Sequence, residues 1–309
     1  MIVRPRPNIF TMLFIVRGSI IPHIASALIL LMAFSFLIVL LHERHIVVLP
    51  EFSLAPFTLL GIALSLFLGF RNNAAYDRWW EARKQWGEMV YEIRSIARSS
   101  ETLLGLQAEQ GEAGELRRQI LHWCAAHCHA MRAFLRQENC RESMLEWLDE
   151  ASVNRALAHK NPADYCLRRA GRCVGELYRK GHIDIMGLRI LDAHLSNLSC
   201  VQAACERISR TPIPFAYTLL THHTTFLYCY TLPFALVPAF GYYTIFFTLL
   251  VAYTFLGLDV LAQELEGPFG REANDLPLDA MCRINEISIA ESLGRVPPPE
   301  LTPKDYVLE

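Results

Sequence analysis

Three stretches of the chain carry no Asp, Glu, Lys or Arg: residues 20–41, 52–70 and 211–258. A membrane-spanning helix needs about 20 predominantly apolar residues, so the first two stretches predict one span each. The third would be about 72 Å long as a single helix, enough for two crossings of a hydrocarbon core of about 30 Å. Pro233 and the segment 238–241, which ends in Gly241, predict the break between them. Spans are thus expected at about 20–41, 52–70, 213–232 and 242–260.

The long polar segment 71–210 reads as helix. Tyr76, Trp79, Trp80 and Arg83 recur at helical spacing among good helix formers such as Glu81, Lys84 and Glu88. Residues 103–115 hold three glycines and many Glu and Gln, and predict a helix end followed by a loop. Residues 116–137 predict a second helix, Asn161-Pro162 opens a turn before another, and Asp184 is placed to cap a run over 185–207. No sustained strand alternation and no repeat of 20–50 residues is visible. The tail after the fourth span contains Pro297, Pro298 and Pro299 and predicts extended chain. The expected organisation is an all-α protein with an N-terminal segment 1–19, spans one and two in 20–70, a helical domain 71–210, spans three and four in 211–262, and a C-terminal segment 263–309.

Charged residues are 19% and hydrophobic residues 52% of 309, which sets aside a freely soluble or disordered chain. The net charge of −2 offers no field for nucleic acid. Residues 1–17 carry Arg4, Arg6 and Arg17 without a compact apolar run ending at a cleavage site, unlike a signal peptide. The first connection holds only Arg44 and the third has no Lys or Arg, so both termini and the middle domain are expected in the cytoplasm. Nine cysteines are scattered with no CxxC pair, and reduced thiols are expected there.

The second span carries two stripes. Gly61, Ser65 and Gly69 repeat every four residues, the small-residue pattern that lets helices approach closely. Ile62, Leu66 and Phe70 repeat in the same way about 100° around the helix. Around a symmetry axis, rings of such bulky apolar side chains form a constriction that gates by dewetting; on a lone helix they face lipid or a neighbour.

Gly69-Phe70 is followed, nine residues after the glycine, by Arg78-Trp79-Trp80. In this spacing the chain resembles the bestrophin family of pentameric ion channels. Arg17-Gly18-Ser19-Ile20 resembles the start of its first span, residues 213–217 (Ile-Pro-Phe-Ala-Tyr) the start of its third, and Gly267-Pro268-Phe269-Gly270 its Asn-Pro-Phe-Gly segment after the fourth. The likeness is to the bacterial branch. It implies a homopentamer in the bacterial inner membrane, with Ile62, Leu66 and Phe70 as a three-ring neck. Leu66 departs from the Phe usual in animal members. The resemblance also implies a second, cytoplasmic aperture at Ile185, with Met186 as the alternative register. Asp184 there is either one of five carboxylates in a cation-favouring ring or a plain helix cap. The animal calcium clasp is reduced to Glu272 and Asp275, beside a non-matching Arg271, and a metal is left open.

Other candidates are His122, Cys124, His127, Cys128 and His129, crowded on one helix without a second zinc-type pair. His222 and His223 lie inside the third span, where ionisable groups are functional suspects or line a wet vestibule. Asp77, Arg78, Glu81 and Arg83 are expected to form a charge network at the membrane junction. No HExxH, GxSxG or Walker loop occurs, so neither an enzyme nor a cofactor is expected. The function expected is passive conduction of small monovalent ions, sodium-like cations first and chloride as the alternative, with a non-conducting membrane scaffold as the reading from another class. The expected partners are other copies of the chain, membrane lipid and the permeating ions.

Overall fold

A computed structural model describes residues 1–309 except 5–7, 9, 11–14, 17, 51 and 52. Arg6 and Arg17 of the expected positive cluster, and the first residue of the expected second span, therefore lie outside the described residues. The described residues form helices and two isolated bridges, and the chain divides into two compact units.

One unit holds residues 4–79 and 212–268. It contains α1 (Ile21–Glu43), the first part of α2 (Ala55–Leu104), α8 (Phe215–Phe240) and α9 (Tyr243–Glu266), with α3–α7 lying between α2 and α8 in the sequence. α1 opens with Pro22 in its first turn, where the missing N–H leaves no bond unmade. Its buried side chains Ile24 and Leu31 pack with Cys229, Ala252 and Leu256 of α8 and α9. Leu64 and Leu68 of α2 pack with Tyr228 and Leu232 of α8.

Three helices among the described residues are long and apolar enough to cross a membrane by length and composition: α1, the α2 run and α9. The expected third span is also a helix, but His222, His223 and its threonines dilute its apolar character. Its end differs from expectation. α8 runs through Pro233 and Pro238 to Phe240, and the chain reverses at Gly241, whose φ is +51°. Prolines cost helical hydrogen bonds, but helices of this apolar kind tolerate them where neighbours repack around the gap. A positive φ suits glycine, so Gly241 rather than a proline sets the turn.

The other unit holds residues 1–3, 80–211 and 269–309. Its helices are the rest of α2, α3 (Gly111–Arg136), α4 (Arg141–Leu145), α5 (Glu150–Leu157), α6 (Pro162–Arg179), α7 (Ile185–Arg210) and α10 (Leu278–Ser292). α3 lies in the middle, packed against α6 and α10. The loop expected over 103–115 is shorter, because α2 ends at Leu104 and α3 already starts at Gly111, a glycine with φ +66°. Asn161 caps α6, its side chain accepting from the Asp164 N–H at 3.1 Å. The proline tail has no regular secondary structure, and the end of the chain then pairs with the beginning: Val3 N–H donates to the Tyr306 carbonyl at 2.8 Å and Leu308 N–H to the Met1 carbonyl at 2.9 Å. Nothing in local sequence pattern announces that pairing.

Candidate functional site: an apolar stripe and a buried ion pair

α2 is unbroken from the apolar stretch through Arg78-Trp79-Trp80. Its packing face is set by Leu64 and Leu68, which are 2% and 0% exposed. Two residues further along a helix is about 200° around it. Ile62, Leu66 and Phe70 therefore fall opposite the packing face, and they are 60%, 55% and 57% exposed. Three bulky apolar side chains in line, turned away from the chain's own core, need a covering of lipid, of a second copy, or of an axis shared by several copies.

The small-residue stripe is only partly an approach surface. A Cβ on Gly61 would meet the Tyr228 hydroxyl at 2.8 Å, so glycine lets α8 come close there. A Cβ on Gly69 would meet nothing within 4 Å. Ser65 is exposed and its hydroxyl donates to the Ile62 carbonyl at 2.8 Å.

Immediately after Phe70, Arg71 turns inward and is fully buried. Its guanidinium pairs with the carboxylate of Asp259 on α9, itself 1% exposed. The other Asp259 oxygen lies 2.7 Å from Nδ1 of His222 on α8 and 3.4 Å from the Gln263 amide. Asn72 donates to the Leu68 and Leu258 carbonyls at 2.9 and 3.0 Å. Thus α2, α8 and α9 converge on one carboxylate at the end of the apolar stripe. Charges in apolar surroundings persist only when paired. The signal was present in the sequence, since Arg71 and Asp259 are the first charged residues after the runs 52–70 and 211–258 and have opposite signs. His222, a suspect from its position, is the third member.

Arg78 of the Arg-Trp-Trp motif donates from Nε to the Glu266 carbonyl at 3.3 Å, and the rings of Tyr76 and Trp79 stack at 6.5 Å. Trp80 is exposed. The expected network of Asp77, Arg78, Glu81 and Arg83 does not form among its own members. Glu81 pairs with Arg207, Arg78 takes a backbone carbonyl, and among the described residues Asp77 has no ion-pair or hydrogen-bond partner. Glu81 is one helical turn from both Asp77 and Arg78, but its carboxylate turns to Arg207 instead.

In the second unit, Ile185 and Met186 are 59% and 56% exposed at the start of α7. Asp184 is the N-cap, one carboxylate oxygen accepting the Gly187 N–H at 2.7 Å. Gly187 is held close, since a Cβ there would meet Ile183 at 3.1 Å. The cap fixes the first turn and so the direction in which Ile185 and Met186 point.

At the clasp remnant, the Asp275 carboxylate accepts the Glu272 N–H at 2.8 Å and closes a turn. A Cβ on Gly270 would sit 2.5 Å from that carboxylate, which explains the glycine. Burial pushes the Asp275 carboxyl up to about 6. Arg271 is drawn to Glu138 at 2.6 and 3.0 Å. Two carboxylates, one committed to its own backbone, do not supply the six to eight oxygens of a calcium site. Among the described residues no group of three or more His, Cys, Asp or Glu is arranged to hold a metal.

The His and Cys crowd on α3 is packing. His127 Nδ1 meets the Ala163 carbonyl at 3.1 Å, His129 Nε2 lies 2.7 Å from Glu286, and the His122 ring meets Trp147 edge-on at 5.7 Å. Burial raises the Cys124 thiol to about 12, so it is a small hydrophobe rather than a nucleophile. Burial also lowers His127 from its usual 6.5 to about 4. Between these values the unfolded chain takes up a proton that the folded one refuses, so stability is full above pH 6.5 and falls towards pH 4. The thermal midpoint of wild type minus that of His127→Asn, which keeps a donor for Ala163, should shrink across that window. A difference independent of pH would show that His127 is not the neutral buried group described.

A sequence profile described as Bacterial/Fungal Bestrophin protein matches residues 1–291. The chain is 45% identical over 306 residues to a Mesorhizobium japonicum protein named a voltage-dependent anion channel-forming protein, covering 99% of this chain and 96% of the relative. It is 41% identical over 291 residues to the identically named protein YneE of Escherichia coli, covering 94% and 93%. Among solved structures, a bacterial bestrophin homolog from Klebsiella pneumoniae superposes with a TM-score of 0.82 at 37% identity, over 89% of this chain and 100% of that chain.

Proposed function

Since the chain belongs to the bacterial and fungal bestrophin family, we propose that it is a homopentameric inner-membrane channel through which small monovalent ions pass passively. The spans in this reading are α1, the apolar part of α2, α8 and α9, with both termini in the cytoplasm. Five copies of Ile62, Leu66 and Phe70 make the neck, and five of Ile185, with Met186 beside it, make a second apolar aperture. The observation that carries the proposal is the stripe of three exposed apolar side chains opposite the packing face of α2. A ring of such side chains controls hydration without covalent chemistry.

The sign of the ion is set by charge near the neck and aperture. Asp184 is an exposed residue that uses one carboxylate oxygen as a cap, and five such carboxylates favour cations such as sodium. The Mesorhizobium and Escherichia relatives are named as anion channel-forming proteins, which favours an anion such as chloride as the second reading. The purified protein in a planar bilayer under a sodium chloride gradient separates them. A reversal potential near the sodium equilibrium value supports the first, and one near the chloride value the second. No current, even after the neck is widened, would replace both with a scaffold role.

A further inference from the structure

We propose that Asp77 forms the first charged ring after the neck and biases the pore towards cations; this rests on the pore reading above. Asp77 is seven residues beyond Phe70 on the unbroken helix α2. Seven residues are about 700° of rotation, within about 20° of two full turns, and about 10.5 Å of rise. Asp77 therefore lies on the same face as Ile62, Leu66 and Phe70, and like them it is exposed. Asn73 continues the face between them, exposed and uncharged, while its neighbour Asn72 is bonded inward to Leu258.

The basic residues that flank this face are withdrawn from it. Arg71, next to Phe70, is fully buried and its charge is met by Asp259. Arg78, next to Asp77, donates to the Glu266 carbonyl. Among the described residues Asp77 has no hydrogen-bond or ion-pair partner, and it lies inside α2 rather than at a cap, so no contact there requires a carboxylate. Further along α2, Glu81 is paired with Arg207, and the next charged positions of the stripe, Lys84 and Glu88, have opposite signs and offset each other. The first uncompensated charge on the stripe is thus negative, and five copies around an axis concentrate it. Such a ring raises the local cation concentration by a potential of a few kT. At about 10 Å from Phe70 it lies near the Debye length at physiological salt, so its effect fades as salt rises.

The test is the reversal potential of the full-length protein carrying Asp77→Asn or Asp77→Lys, each also made with Leu66→Ala to secure a measurable current. Asp77→Asn keeps the size of an exposed side chain without partners, so the fold is retained. The sodium-to-chloride permeability ratio should fall about tenfold in Asp77→Lys and by less in Asp77→Asn, and both shifts should shrink at 1 M salt. An unchanged ratio in a conducting Asp77→Lys channel overturns the assignment and leaves the pore standing. No current from either the Leu66→Ala protein or its Asp77 variants overturns the pore reading, and the inference with it.

Discussion

Replacing Leu66 with Ala should raise the open-channel current about tenfold, the change expected when the barrier in the neck drops by about 1.4 kcal/mol. Leu66 is the middle of three rings, so five truncations remove the apolar bulk where water is least easily held. The same change should leave the fold intact, because Leu66 is exposed on the face opposite the core, and such substitutions usually fall within about 0.5 kcal/mol. Leu68, two residues on, is the control. It is fully buried against α8, and Leu68→Ala should cost about 2–5 kcal/mol and lower the yield of folded protein rather than open it. Single-channel recording and thermal unfolding, run on both variants, read the contrast. Equal currents from wild type and a well-folded Leu66→Ala would remove the stripe from the pore.

Much of this arrangement was legible because membrane helices announce themselves by the absence of charge. The runs 20–41 and 52–70 coincide with α1 and the start of α2, and Asp184 caps α7 as its spacing predicts. Side-chain exposure then separates what periodicity could not. Ile62, Leu66 and Phe70 and the small-residue stripe look alike in sequence, and only the burial of Leu64 and Leu68 shows which face packs. The end of α8 was misread because proline is a weaker breaker inside an apolar bundle than in water. The expected charge network failed for a different reason. Glu81 lies within helical reach of Asp77 and Arg78, yet its partner is Arg207, 126 residues away. Local pattern carries no information at that range.

The Arg71–Asp259 pair should be the most expensive polar contact to break in its unit. Asp259→Ala leaves a guanidinium fully buried with no carboxylate against it, apart from Glu266 at 4.0 Å. Removing one partner of a buried pair typically costs about 3–5 kcal/mol, because the remaining charge is not rehydrated. Removing both, as Arg71→Met with Asp259→Leu, should recover most of the loss, since an apolar pair of similar volume often matches a buried ion pair. His222→Phe should cost less than either single change, because His222 is 42% exposed and its ring already packs against Phe226 at 4.7 Å. The double-mutant cycle on thermal unfolding in detergent isolates the coupling between Arg71 and Asp259. The functional arm of the same cycle follows from position. Arg71 adjoins Phe70, so the pair holds the last ring of the proposed neck in rotational register with α9. The Met/Leu double variant should therefore be stable and yet show altered conductance, whereas a pair that served stability alone would give wild-type currents once stability was restored.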